Sequence, residues 1–368
     1  MRKLRIGVAG LGRAFQVMAP AFADPRVELA GASDPRKPSF AGRFFESVEA
    51  LCRSPDIDVV YIATPHQFHA EHACLAAQHG KHVLVEKPMA LSLEECRRMI
   101  DAAQKAGVQL VVGHSHSFDL PIARTRELIE SGKFGRLRMI TALNFTDYLY
   151  RPRRPEELDT ARGGGAVFNQ AAHQVDVARA LSLNRISSVK AQTGSWDPAR
   201  PTEGAYAALL AFEDGAFASL TYSGYAHFDS DELMGWVGEM GNRKDPARYG
   251  SARKTLDDRQ KHAPRTLQPQ THHQHFGFLI ASCERADLRP LPDGVMIYGD
   301  EEKRLDPLPA PQVPRVEVID ELYGAVALGK KPLHDGEWGM ATLEVCLAIL
   351  ESAKNGKEIP LRHQPKSA

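Results

Sequence analysis

Short β-branched runs alternate with longer amphipathic stretches through the first third of the chain, and that alternation predicts a parallel sheet covered by helices. Strands are expected at residues 5–9, 27–32, 59–63, 82–85 and 109–112, with helices between them, notably 67–79 and 92–106. Ser92 is placed to cap the second of these helices, with Glu95 three residues on completing a capping box. Gly80 and Gly107 stand where the helices should stop. After Gly113 the pattern changes. A helix is expected at 121–131, and A-Y-A-A-L-L-A-F-E-D-G-A-F-A-S-L-T-Y-S reads as two strands around an Asp-Gly turn, so this half should be an antiparallel or mixed sheet with a few helices. Residues 241–274 are polar and follow neither period, which predicts a long loop. The apolar spacing of A-T-L-E-V-C-L-A-I-L-E-S-A-K predicts a terminal helix that packs back on the body. The fold class is α/β, with domains expected at 1–118 and 119–368 and the terminal helix free to pack back on the first of them.

Composition narrows the partners. The chain has 368 residues, long enough for two cores, and its 46 Lys plus Arg balance 46 Asp plus Glu. No bulk field therefore points to nucleic acid or a membrane surface, and no run reaches the roughly 18 apolar residues of a spanning helix. The first residues hold only a short apolar run broken by glycine, which argues against a signal peptide. Five separated cysteines without a C-x-x-C pair fit a reduced cytoplasm.

In R-I-G-V-A-G-L-G-R-A-F, Gly10 and Gly12 follow a strand and open a helix, where bare backbone can approach a pyrophosphate. Phe15 occupies the third glycine position of that fingerprint, weakening the match without removing the phosphate contact. Asp34, in A-S-D-P-R just past the second strand, can bind ribose hydroxyls, while Arg36 could accept a 2'-phosphate. NAD is favoured over NADP. The bland alternative is a tight turn followed by an Asp-Pro turn.

Ligands of an open parallel sheet sit beyond the carboxyl ends of its strands. Glu86-Lys87-Pro88 falls at such an end. Pro88 stiffens the turn, and desolvation beside a positive nicotinamide ring should lower the pKa of Lys87 toward proton relay. A solvated turn lysine is the alternative. Thr64, Pro65, His66 and His69, in A-T-P-H-Q-F-H, end another strand, with partly exposed histidines at a helix start as the plainer reading. In R-G-G-G-A-V-F-N-Q-A-A-H-Q-V-D, Asn169 and His173 are four apart and share a helix face. A histidine there could take a carbinol proton with a polar neighbour orienting its ring, or could simply be satisfied inside a packing interface.

The stretch D-Y-L-Y-R-P-R-R-P-E-E-L-D-T carries Arg151, Arg153 and Arg154, fork-like donors suited to carboxylates, which favours an anionic substrate. The alternative is a basic surface loop paired with Glu156 and Glu157. His272, His273 and His275 lack a supporting acid or cysteine at metal spacing, so surface or substrate-loop histidines are expected and no metal.

The glycine turn, Asp34, A-T-P-H-Q-F-H, V-E-K-P, E-S-G-K-F-G, G-G-G-A-V-F-N-Q-A-A-H and the terminal helix, in that order, make the chain resemble the glucose-fructose oxidoreductase/inositol dehydrogenase/rhizopine catabolism (Gfo/Idh/MocA) family. The resemblance implies an N-terminal Rossmann domain and a C-terminal α/β domain whose open, largely antiparallel sheet serves dimer or tetramer contacts. It implies that Lys87, Asn169 and His173 serve the substrate carbinol, although the family usually has aspartate where Asn169 stands and arginine where Ser117 stands. The cofactor side then comprises Gly10, Gly12, Arg13, Ala14, Phe15, Asp34, Arg36, Thr64, Pro65, His66, His69, Glu86 and Lys87. The substrate side comprises Arg151, Arg153, Arg154, Tyr148, His114 and His116. The arginine segment, W-D-P-A-R-P-T-E-G-A-Y and Y-S-G-Y-A-H-F-D-S-D-E resemble a branch that oxidises a ring cis-dihydrodiol carrying two carboxylates to an aromatic diol. A sugar or inositol dehydrogenase and a non-catalytic NAD(H)-binding sensor stay open beside that expectation.

Overall fold

The computed structural model describes residues 3–37, 39–225, 227–248 and 270–365. The chain divides into two compact units, Met1–Ser115 with Gln312–Leu343, and His116–Pro311 with Glu344–Ala368. The boundary expected at residue 118 lies at 115, and the return to the first unit, expected of the terminal helix alone, takes in the whole of 312–343, of which only the last residues are the start of that helix.

The first unit is built on a six-stranded sheet of β1 (Leu4–Ala9), β2 (Val27–Ser33), β3 (Arg43–Phe44), β4 (Val59–Ile62), β5 (His82–Val85) and β6 (Leu110–Val112), in the order β3-β2-β1-β4-β5-β6 with every pairing parallel. Such strands are covered on both faces, so they read as continuous apolar runs; all four residues of β4 are buried. The crossover helices are α1 (Arg13–Met18), α2 (Val48–Arg53), α3 (His69–Gln78) and α4 (Leu93–Ala106). The Ser92 hydroxyl caps α4 by accepting from the Glu95 amide, and Gly107, in the left-handed region, ends it. The Glu95 carboxylate reaches past the cap to the Leu91 amide, so the box closes one residue earlier than its sequence pattern implies. The expected helix at 67–79 starts instead as a 3-10 turn, His66–Phe68, before α3.

Among the described residues the second unit holds α5 (Leu120–Glu130), α6 (Ala172–Ser182) and a nine-stranded sheet, in which only one pair of strands is parallel. Its strands are β7 (Leu137–Phe145), β8 (Ile186–Gly194), β9 (Ala205–Phe212), β10 (Phe217–Ser223), β11 (Phe278–Cys283), β12 (Ala286–Leu291), β13 (Gly294–Gly299), β14 (Lys303–Pro307) and β15 (Ile359–Pro360). The Asp-Gly hairpin joins β9 to β10, with Gly215 at φ +85°, the left-handed geometry that glycine adopts without strain. One face of these strands is buried with Val175, Ala178 and Leu181 of α6 in the core. The other face carries exposed Leu209 and Phe217. The stretch 241–274, expected as a loop, lies largely outside the described residues; its described ends hold a 3-10 turn, Pro246–Arg248, and no helix or strand of length. Among the described residues no helix is long and apolar enough to cross a membrane.

Candidate active site

In the first unit the carboxyl ends of the parallel strands gather the glycine turn, Asp34, the Thr64 turn and the Glu86-Lys87-Pro88 turn. Gly10 has φ +93°, and a Cβ there would lie 2.7 Å from the Ala63 carbonyl oxygen, so the turn closes only with glycine. A Cβ on Gly12 would meet nothing within 4 Å, which leaves its backbone open to a ligand. Phe15, where the fingerprint has glycine, packs against Phe22 and Phe40 with ring centroids 6.3 and 6.2 Å away. Arg13 is exposed and Ala14 half-buried.

Asp34 is buried and its carboxylate already has four donors. One oxygen accepts from the Leu11 amide at 2.8 Å and an Arg36 guanidinium nitrogen at 3.0 Å; the other accepts from the Arg36 amide at 2.9 Å and Arg36 Nε at 3.2 Å. Burial alone would raise the carboxyl pKa, but the Arg36 and Leu11 hydrogen bonds outweigh it and hold the group below its ordinary value. Arg36 thus folds onto the acid instead of standing apart as a separate anion receptor.

Two of the expected cofactor contacts, His69 and Glu86, and one expected substrate contact, His114, turn inward. His69 has no exposed surface; Nδ1 lies 2.9 Å from the Pro88 carbonyl and Nε2 2.9 Å from the Thr64 carbonyl, so the ring ties the two strand-end turns together. It is an internal strut, neither a ligand contact nor a partly exposed helix-start residue, and burial pushes its pKa down. Glu86 is buried and accepts from the Tyr61 hydroxyl at 2.6 Å, which anchors the residue before Lys87. His114, expected on the substrate side, is buried with its ring 5.7 Å from that of His334. Thr64, Pro65, His66 and Lys87 remain half-buried, and the Lys87-Pro88 peptide is cis.

In the second unit the three glycines lead into a π-helical turn, Val167–Ala171, and then α6. Glu203 secures this start: its carboxylate accepts from the Val167 amide at 3.0 Å and from the Thr160 hydroxyl, and its carbonyl accepts from the Ala166 amide. Gly165, at φ +80°, has no room for a Cβ against that carboxylate. Asn169 Nδ2 donates to the carbonyls of Gly163 at 3.2 Å and Gly165 at 2.9 Å. An aspartate could not donate to two carbonyls, which explains the amide here and makes Asn169 a brace of the glycine turn.

His173 is buried on α6. Its ring lies 4.6 Å from that of His116 and 4.7 Å from that of Phe276. His116 Nδ1 meets Asp119 at 2.7 Å and Nε2 faces Glu239 at 3.6 Å. His116 has no exposed surface, so it cannot touch substrate as expected.

The arginines are engaged by the protein. Arg151 Nε donates to Asp147 at 2.7 Å. Arg153 donates to the Tyr148 carbonyl at 2.9 Å and stacks 3.7 Å over the Tyr148 ring, which is itself buried. Arg154 pairs with Glu156 and Glu157 at 3.2 and 3.3 Å, as in the loop alternative. Burial would raise the Asp147 pKa, yet Arg151 holds it below its ordinary value. His273 and His275 are buried and bonded to the carbonyls of Pro309 and Val237, so they are packing residues and not surface ones. Among the described residues no group of three His, Cys, Asp or Glu could hold a metal. Asp119, Glu203 and Glu239 were not singled out from sequence; only Asp119, three residues after His116 at a helix start, left a local signal.

Residues 4–114 match a family model described as an oxidoreductase family with an NAD-binding Rossmann fold, and residues 122–242 match the GFO/IDH/MocA C-terminal domain. The chain is 48% identical over 377 aligned positions to the 1-carboxy-3-chloro-3,4-dihydroxycyclohexa-1,5-diene dehydrogenase of Comamonas testosteroni, covering 95% of each. A crystal structure from Bordetella bronchiseptica RB50, of a protein assigned as a dehydrogenase, superposes with TM-score 0.92 at 42% identity over 98% of this chain and 100% of that one. The WlbA dehydrogenase of Bordetella pertussis, solved with NADH and UDP-GlcNAcA, gives TM-score 0.71 at 25% identity over 98% and 99%.

Proposed function

The chain belongs to the Gfo/Idh/MocA family of oxidoreductases, and on that premise we propose that it oxidises a carboxylated cyclohexadiene cis-diol with NAD, with phthalate 4,5-cis-dihydrodiol as the substrate and 4,5-dihydroxyphthalate as the product. The observation that carries this reading is the end-to-end similarity to the Comamonas enzyme, whose named substrate is a carboxylated ring diol.

Gly10, Gly12 and Asp34 are the residues that would hold the dinucleotide, and the open backbone at Gly12 fits a pyrophosphate. Bound NAD supplies the acceptor for the hydride that leaves the carbinol carbon. His173 takes the hydroxyl proton and Lys87 stabilises the developing alkoxide. Glu86 and His69 hold the backbone on either side of Lys87, and Asn169 and Glu203 hold the turn from which α6 starts. The hydroxy-ketone formed tautomerises to the aromatic diol, which makes the step strongly downhill. Arg151 and Arg153 are the cations for the ring carboxylates, the substrate exchanging with the Asp147 and Tyr148 contacts that engage them in the free protein. Asp34, already a carboxylate, disfavours the 2'-phosphate of NADP.

A neutral polyol, such as a sugar or inositol, is the second reading, favoured by the pairing of Arg154 with Glu156 and Glu157. Substitution tests the assignment. Lys87→Ala and His173→Ala should each lower kcat by roughly 10²- to 10⁴-fold, with mass spectrometry identifying the aromatic diol as the wild-type product; full turnover in both would refute the roles.

The enzyme is further proposed to be a cytoplasmic homodimer or homotetramer associating through the sheet face that bears Leu209 and Phe217. Light scattering on Leu209→Asp/Phe217→Asp should report a smaller particle than wild type; an unchanged mass rejects that face.

A further inference from the structure

His116 is buried without exposed surface, and both of its ring nitrogens face acceptors: Asp119 Oδ2 at 2.7 Å and Glu239 Oε1 at 3.6 Å. Nδ1 is within hydrogen-bond distance of Asp119, while at Nε2 the Glu239 carboxylate acts at 3.6 Å as a charge; a bare lone pair facing that carboxylate would be repelled, so two carboxylates on opposite edges favour the doubly protonated ring. Asp119 comes from the start of α5, three residues along the chain, whereas Glu239 comes from the segment after a 3-10 turn, Ser230–Met234. The second buried histidine, His173, lies against this one, with ring centroids 4.6 Å apart and planes at 79°. Phe276 packs on both, 5.0 Å from His116 and 4.7 Å from His173, closing the group with apolar surface.

We propose that His116 is a positioning residue of the reaction: held as an imidazolium by Asp119 and Glu239, it sets a fixed positive charge against His173 and keeps that ring neutral, ready to accept a proton. The inference rests on His173 being the base of the proposed oxidation. Like charges in contact within a low-dielectric site disfavour double protonation, so the charge on His116 makes the charged form of His173 costly. Burial alone would push the His116 pKa down, but the Asp119 and Glu239 interactions hold it up at about 9. Glu239 also lies within electrostatic reach of Arg151, and Asp176 is buried one turn beyond His173 on α6; these are the other charged groups that bear on the cluster. A surface histidine could not do this work, because solvent would screen its charge.

Full-length protein with ¹⁵N-labelled histidine, titrated by NMR in wild type, His116→Phe, Asp119→Asn and Glu239→Gln, reads the inference without substrate. The His173 midpoint should rise by about one pH unit or more in His116→Phe, and by less in Asp119→Asn and Glu239→Gln. The acid limb of kcat/KM should move up with it, so that activity at pH 7 falls about tenfold and recovers at higher pH. Should His116→Phe fail to fold, the two milder variants carry the same test. An unmoved His173 midpoint, or an equal loss of rate at every pH, would overturn the proposal. A raised midpoint in a protein inactive on the dihydrodiol would instead leave this coupling standing and reject the substrate reading.

Discussion

The Asp34 carboxylate accepts a hydrogen bond from the Leu11 amide at 2.8 Å, so the acid that follows β2 holds the glycine turn that follows β1. One side chain therefore shapes the glycine turn, which under the proposed function would meet the pyrophosphate while the acid meets the ribose. Arg36 is bonded to the same carboxylate and balances its charge.

Substituting the two members of this pair should separate their roles. Asp34→Ala is expected to weaken NADH binding about 10- to 100-fold, the worth of one or two charge-assisted hydrogen bonds. Arg36→Ala should cost NADPH affinity more than NADH affinity. Fluorescence titration with both nucleotides checks this; equal losses for both in Arg36→Ala would remove Arg36 from cofactor choice.

Gly10 and Gly12 should respond differently to alanine. Gly10→Ala forces a Cβ against the Ala63 carbonyl at φ +93° and should cost on the order of 1–3 kcal/mol of stability. Gly12→Ala meets no atom within 4 Å, so its melting temperature should stay near wild type while NADH binding weakens. Thermal melts with and without NADH distinguish the two, and equal melting losses would contradict the local geometry.

Asn169→Asp places a carboxylate beside the Gly163 and Gly165 carbonyls that now receive its N–H donors. It should therefore be more damaging to stability than Asn169→Ala, by about 1–3 kcal/mol, even though aspartate is the residue usual in the family. Urea unfolding of the two variants decides; a more stable aspartate variant would mean that the amide is not the brace described.

The buried His116 makes stability depend on pH with a defined sign. Its folded pKa, about 9, lies above the ordinary value of 6.5, so the folded state binds the extra proton more tightly. The stabilisation is complete below pH 6.5 and is lost as pH rises through about 9. Urea midpoints at pH 6.5 and 9.5 should fall in wild type and fall less in Asp119→Asn. A wild-type midpoint that rises over this interval would show that His116 is neutral in the folded protein.

Much of the first unit was legible because its signals are local. The continuous apolar runs marked the parallel strands, and Ser92 and Gly107 marked the ends of α4; in the second unit the Asp-Gly pair, equally local, marked the β9-β10 hairpin. The site residues were readable by type and spacing, but their partners were not. His69 stands in a turn motif, yet its ring closes on Pro88 and Thr64, and nothing in A-T-P-H-Q-F-H signals its burial. Glu239 reaches His116 across a long sequence separation, and Glu203 secures a helix start far upstream, so neither leaves a periodic trace. The return of 312–343 to the first unit is likewise a tertiary choice that local pattern does not encode. Within it His334, fully buried, bonds Glu321 at 3.1 Å and packs on His114, which is why His114 faces the core of that unit.

The most direct measurement is reduced-nicotinamide absorbance with purified protein and NAD, offered phthalate 4,5-cis-dihydrodiol or myo-inositol in parallel. Rapid NAD reduction with the dihydrodiol, and none with inositol, is the result expected of an aromatising dehydrogenase. Reduction with inositol and none with the dihydrodiol would contradict it and make the chain a polyol dehydrogenase.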